Sequence, residues 1–121
     1  MRKIKLSPSA LSDHALELIA ARFKLLSEPT RLRLLIALEM GEKNVSELVD
    51  ATGATQANVS RQLQSLSRAG LLGRRKEGPS VYYHIADATI FDLCGHVCAS
   101  LQKGLARATK AFRPARWQRS H

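Results

Sequence analysis

The 121 residues suit a single domain, with 45% hydrophobic and only 5% aromatic residues, so the core is expected to be aliphatic. Cys94 and Cys98 are the only cysteines, too few for a disulfide scaffold, and no stretch approaches the roughly 20 apolar residues of a membrane span. The net charge of +9 is carried at the ends: Arg2, Lys3 and Lys5, then Lys103, Arg107, Lys110, Arg113, Arg116 and Arg119, while residues 6–102 balance ten bases against ten acids.

Basic tails on a neutral body suit a polyanion such as DNA, because each phosphate contact releases counterions; solubilising tails are the other reading. Ser12, Asp13, His14 and Glu17 interrupt any apolar run of a signal peptide. A cytoplasmic, reducing location and no membrane partner are expected.

Residues 1–8 read as a disordered basic tail, 9–107 as the folded domain and 108–121 as a second basic tail. From about Ser9, Leu11, Ala15, Leu18, Ile19 and Leu26 recur at helical steps. Pro29 suits the first position of a second helix, which carries Leu32, Leu35, Ile36 and Leu38 and ends near Gly41. Asn44-Val45-Ser46-Glu47 has the pattern of a capping box and starts a short helix, with Leu48 and Val49 inward and Gly53 as its stop. Thr55 caps a fourth helix running to Gly70. Two helices joined by a tight glycine turn make a helix-turn-helix candidate.

Leu71–Lys76 and Val81–Ile85 are short β-prone runs flanking Glu77-Gly78-Pro79-Ser80, the signature of a hairpin. After Asp87, the residues Ile90, Phe91, Cys94, Val97, Cys98, Leu101 and Leu105 form the stripe of a last long helix. The expected fold is therefore mainly α with a small β-hairpin: four helices, a hairpin wing and a C-terminal helix, a winged helix-turn-helix.

On the fourth helix Val59, Leu63 and Leu66 lie on one side. Ala57, Arg61, Gln64 and Arg68 lie opposite, with Ser60 alongside and Gln56 near the N-terminal end. The segment contains no acid. Gln and Asn pair with adenine, Arg with guanine and Ser with phosphate or bases, so this face suits the major groove. Arg74, Arg75 and Lys76 place three cations on the hairpin, suited to phosphates or the minor groove. The expected DNA contacts are Gln56, Ala57, Asn58, Ser60, Arg61, Gln64, Arg74, Arg75 and Lys76.

Three segments carry a family resemblance. Ser27–Leu35, Thr55–Leu63 and the run Arg68–Leu72 with Arg74–Gly78 and Val81–Tyr83 resemble the second helix, recognition helix and helix-to-wing segment of the ArsR/SmtB winged-helix repressors. The resemblance spans about residues 20–90. It implies a homodimer joined by the first and last helices, seated on double-stranded DNA at an inverted-repeat operator, and released by a metal ion, metalloid or redox signal. Gln56 and Ser60 match DNA-contacting positions, and Asn58 also matches a common residue. Ala57 and Arg61 depart from the usual residues.

The sensing sites of the resemblance do not carry over. The arsenic- and cadmium-type cysteine box falls on Asn44-Val45-Ser46. The zinc-type positions fall on Asp87, Thr89, Ser100 and Lys103, where a lysine would repel a cation. Cys94 and Cys98 read either as small interface hydrophobes or as a thiol-directed sensor, holding a thiophilic metalloid or metal or reacting with an oxidant. A disulfide within one helix is disfavoured, since Cβ atoms four residues apart sit about 5–6 Å apart against the roughly 3.5–4.5 Å a disulfide needs. A link across a dimer axis is easier. His96 lies on the far side of that helix, and His14, His84 and His121 share no ligand spacing. No phosphate loop, nucleophile elbow or HExxH motif supports an enzyme. A winged helix used for protein contacts is the rival reading, but it needs neither an acid-free helix nor a basic wing.

Overall fold

A computed structural model describes residues 11–105, so both assigned tails lie outside the described residues. The element order is α1 (Asp13–Leu25), α2 (Pro29–Glu39), β1 (Lys43–Asn44), α3 (Val45–Thr52), α4 (Gln56–Arg68), β2 (Leu72–Glu77), β3 (Ser80–Ile85) and α5 (Thr89–Leu105). This is the expected winged helix-turn-helix, with one strand more than the hairpin foresees.

Local chemistry explains most boundaries. Ser12 Oγ accepts from the Ala15 N–H at 3.1 Å and opens α1. Pro29 occupies the first turn of α2, where its missing N–H costs nothing. Glu28, the residue before it, makes no side-chain cap, because its carboxylate is used elsewhere. Asn44 and Glu47 form the reciprocal capping box of α3, each bond 2.9 Å long. Gly53 closes α3 with φ +73°, a left-handed conformation that glycine adopts without a Cβ penalty, and so sets the turn into α4. Thr55 caps α4 by accepting from the Asn58 N–H at 3.2 Å.

The sheet is antiparallel in the order β1-β3-β2. The strands run through Glu77 and Ser80, leaving only Gly78-Pro79 as the turn. Gly78 has φ +58° and proline holds a negative φ, the sign pattern of a type II′ turn whose twist matches the strands. β1 pairs Lys43 with Tyr83 and Asn44 with Tyr82, which ties the helix-turn-helix to the wing.

The core is aliphatic, as composition implies. Leu34, Leu35, Leu48, Val59, Leu63, Leu66 and Leu71 are fully buried, joined by Leu38, Leu72, Ile90 and one aromatic residue, Tyr83. On α2 the inward residues are Leu34, Leu35 and Leu38; Ile36, expected inside, is exposed, because positions 34, 35 and 38 form the stripe that meets the core. No residue of α1 is buried, and α5 buries only Ile90. Leu16, Leu18 and Phe23 of α1, and Val97, Leu101 and Leu105 of α5, are all about half exposed. No helix of the described residues is long and apolar enough to cross a membrane.

Candidate nucleic-acid interface

Helix α4 presents its polar side outward. Gln56, Ala57, Arg61, Gln64 and Arg68 are exposed, Asn58 and Ser60 are half-buried, and Val59, Leu63 and Leu66 anchor the opposite side in the core. Fully buried leucines below make the outer face a rigid platform, since packed interiors allow little adjustment.

Beneath that face lies a polar chain that the pattern of apolar residues does not reveal. Gln62 is the only buried polar side chain among the described residues, 7% exposed. Its Nε2 donates to Glu28 Oε1 at 3.0 Å and to Asn58 Oδ1 at 3.2 Å, and its Oε1 accepts from Arg31 Nε. Arg31 also donates to the Leu25 carbonyl at 3.0 Å and pairs with Glu28 at 3.6 Å. Arg61 Nη2 donates to Asn58 Oδ1 at 3.2 Å. Thus the start of α2 holds, through Gln62, two residues of the outer side of α4, Asn58 and Arg61. The available signal was a glutamine at position 62, inside the 59–63–66 apolar stripe.

The wing divides its three cations. Arg74 and Lys76 are exposed, and no ion pair is found for either among the described residues. Arg75 faces the other side of β2. Its Nε lies 3.1 and 3.2 Å from the two Glu42 oxygens, its Nη2 also meets Glu42, and its Nη1 meets Glu77 at 2.8 Å. The guanidinium also covers the Tyr82 ring, 4.9 Å from its centroid, directly across the strand pair. The Arg75 hydrogen bond holds the Glu42 carboxyl below its ordinary range, and the two carboxylates raise Arg75. Arg75, expected on sequence grounds as a phosphate contact, is thus engaged in fixing the wing base.

The two cysteines sit on α5, both half-buried. Burial pushes the Cys94 thiol up, and the neighbouring Cys98 adds to the shift. The zinc-type position Asp87 is occupied by protein partners: it accepts from the Thr89 N–H at 3.0 Å and from its hydroxyl, and it pairs with Arg22 at 3.6 Å. These bonds, Thr89 first, hold its carboxyl below the usual range. Asn44 spends its side chain capping α3. No cluster of three His, Cys, Asp or Glu side chains suited to a metal occurs among the described residues of one chain.

The family model described as "Bacterial regulatory protein, arsR family" matches residues 28–73, the span from the Glu28 network to the start of β2. A transcriptional repressor SmtB homologue from Synechocystis is 33% identical over 99 residues, covering 82% of this chain and 75% of its own length. A homodimeric winged helix-turn-helix DNA-binding domain from Mycobacterium bovis superposes with a TM-score of 0.67 at 32% identity, over 80% of this chain and 93% of that one. The crystal structure of AntR, an antimony-specific transcriptional repressor, gives 0.69 at 27% identity, over 87% and 100% of the respective chains.

Proposed function

This chain belongs to the ArsR family of DNA-binding transcriptional repressors, which are not enzymes, and from that premise we propose that it acts in the cytoplasm as a homodimer on an inverted-repeat operator. The observation that carries the DNA-contact assignment is the acid-free outer face of α4, seated on a leucine core beside a wing with two exposed cations, Arg74 and Lys76. Gln56, Ala57, Asn58, Ser60, Arg61 and Gln64 enter the major groove, while Arg74 and Lys76 follow the phosphates. The exposed apolar sides of α1 and α5 form the dimer contact, which places two copies of α4 on the same side of the duplex.

The test is duplex binding to the protein's own upstream region across a salt series. With several phosphates engaged per subunit, log affinity should fall against log salt with a slope steeper than about −4. Arg74→Ala should flatten that slope by about two contacts, one from each subunit. Arg75→Ala should instead loosen the wing, lowering affinity through lost order. A salt-independent affinity would remove DNA as the target.

A second reading concerns release. Cys94 and Cys98 stand one turn apart on the dimer helix, so a dimer doubles them to four sulfurs. A thiophilic metalloid such as trivalent arsenic or antimony would find soft ligands there, and the structural likeness to an antimony-specific repressor is in keeping with this. Burial opposes it, because a raised thiol pKa leaves less thiolate at neutral pH. The expected result is that arsenite lowers operator affinity for the wild type and not for the double variant Cys94→Ser, Cys98→Ser, with the response strengthening as pH rises toward the Cys94 pKa. Equal affinity with and without arsenite, zinc and peroxide would leave the cysteines as packing residues.

A further inference from the structure

The chain from Arg31 to Asn58 has a direction. A guanidinium only donates and an ionised carboxylate only accepts. Gln62 lies between one of each. With its Oε1 toward Arg31 and its Nε2 toward Glu28, both ends bond. Turned over, it would set N–H against N–H and oxygen against oxygen. The amide of Gln62 is therefore held one way round, and its second N–H reaches Asn58.

That N–H forces Asn58 to turn its oxygen inward. The same oxygen accepts from Arg61 Nη2. A carbonyl oxygen has two lone pairs, and both are used. What Asn58 retains for a partner is its Nδ2, with two N–H donors and no acceptor. Arg61, its neighbour on the exposed side, also has only donors.

Reading adenine through an asparagine needs an acceptor for the 6-amino group as well as a donor for N7. The Asn58 oxygen is not free to supply it. Guanine offers two acceptors in the major groove, N7 and O6, and cytosine offers a donor. We infer that buried Gln62 sets the hydrogen-bond polarity of the reading face, making Asn58 and Arg61 a donor-only pair that selects guanine over adenine. This rests on α4 being the recognition helix. Gln62 acts through Asn58 and is a positioning residue; it makes no base contact itself.

The test is selection of binding sites from a randomised duplex pool by the full chain, in wild type, Asn58→Ala and Gln62→Leu. Asn58→Ala identifies the base position concerned, as the one whose preference it relaxes. There the wild type should favour guanine over adenine by roughly tenfold, the scale of one good two-point base contact. Gln62→Leu removes the buried donor and leaves the Asn58 oxygen held only by the exposed Arg61, so the amide can turn, while Glu28 and Arg31 keep each other as partners. Its guanine preference should fall several-fold toward adenine, with other positions unchanged. An effect of Gln62 on folding alone would weaken every sequence equally and leave the preference intact.

Adenine selected by the wild type at that position, or an unaltered guanine preference in Gln62→Leu, overturns the inference while leaving DNA binding in place. No enriched sequence with the wild type overturns the recognition-helix reading and the inference with it. A measurement on the free wild type needs no variant. In NMR hydrogen exchange the Gln62 side-chain amide protons should be protected and those of Asn58 should exchange freely. Protected Asn58 protons with free Gln62 protons would reverse the polarity and overturn the inference.

Discussion

Leu101→Asp is expected to turn the dimer into a monomer and to lower operator affinity by on the order of 10²–10⁴. Leu101 contributes nothing to the core of its own chain: it is 48% exposed on α5, beside Val97 and Leu105 and on the stripe of Cys94 and Cys98. Six large apolar side chains of α1 and α5 stand about half exposed in one copy, a surface that a second copy would cover. A two-fold axis brings equivalent residues near one another, so one substitution places two carboxylates in the contact. Without the dimer, each recognition helix binds its half-site alone and the gain from linked binding is lost. Sedimentation reads the association state, a duplex titration reads the affinity, and circular dichroism should show the helices intact. A variant that stays dimeric with full affinity would place the dimer contact elsewhere.

Where a structural feature depends on residues three or four apart, the sequence alone displayed it. The Asn44–Glu47 capping box, the Thr55 cap, the Gly53 stop and Pro29 at a helix start all appear where local chemistry puts them. The outward face of α4 was equally legible, because alternating inner leucines and outer polar residues leave little choice of rotation. What depended on distant partners was hidden. β1 is two residues long and has no period of its own; it exists because Lys43 and Asn44 come alongside Tyr83 and Tyr82. Arg75 looked equivalent to Arg74 and Lys76 until Glu42, 33 residues away, met it. The role of Gln62 was hidden as well, because its partners Glu28 and Arg31 lie at the start of another element. The stripes of α1 and α5 were visible as stripes, but a stripe does not say whether its own chain or a second copy covers it.

The same division predicts where stability resides. Leu63→Ala should cost about 2–5 kcal/mol, from lost transfer energy plus the cavity left behind. Leu63 is fully buried on the inner side of α4, within a cluster of leucines from α2, α3 and the α4–β2 junction. Tight packing allows only partial collapse into the space, which favours the upper half of that range. Against a total stability of about 5–15 kcal/mol, the loss is a large fraction. For a domain of this size it should lower the melting temperature by roughly 10 °C or more. The loss should also reach DNA binding, because Leu63 supports the helix that carries Asn58 and Arg61. Arg61→Ala is the control on the opposite side of the same helix: exposed, it should change stability by less than about 0.5 kcal/mol while impairing operator recognition. Urea unfolding of both variants at one fixed protein concentration separates the effects, since a dimer's apparent stability depends on concentration. A Leu63→Ala loss below about 1 kcal/mol would mean that the core under the recognition helix repacks freely, and the rigid platform proposed for base reading would have to be abandoned.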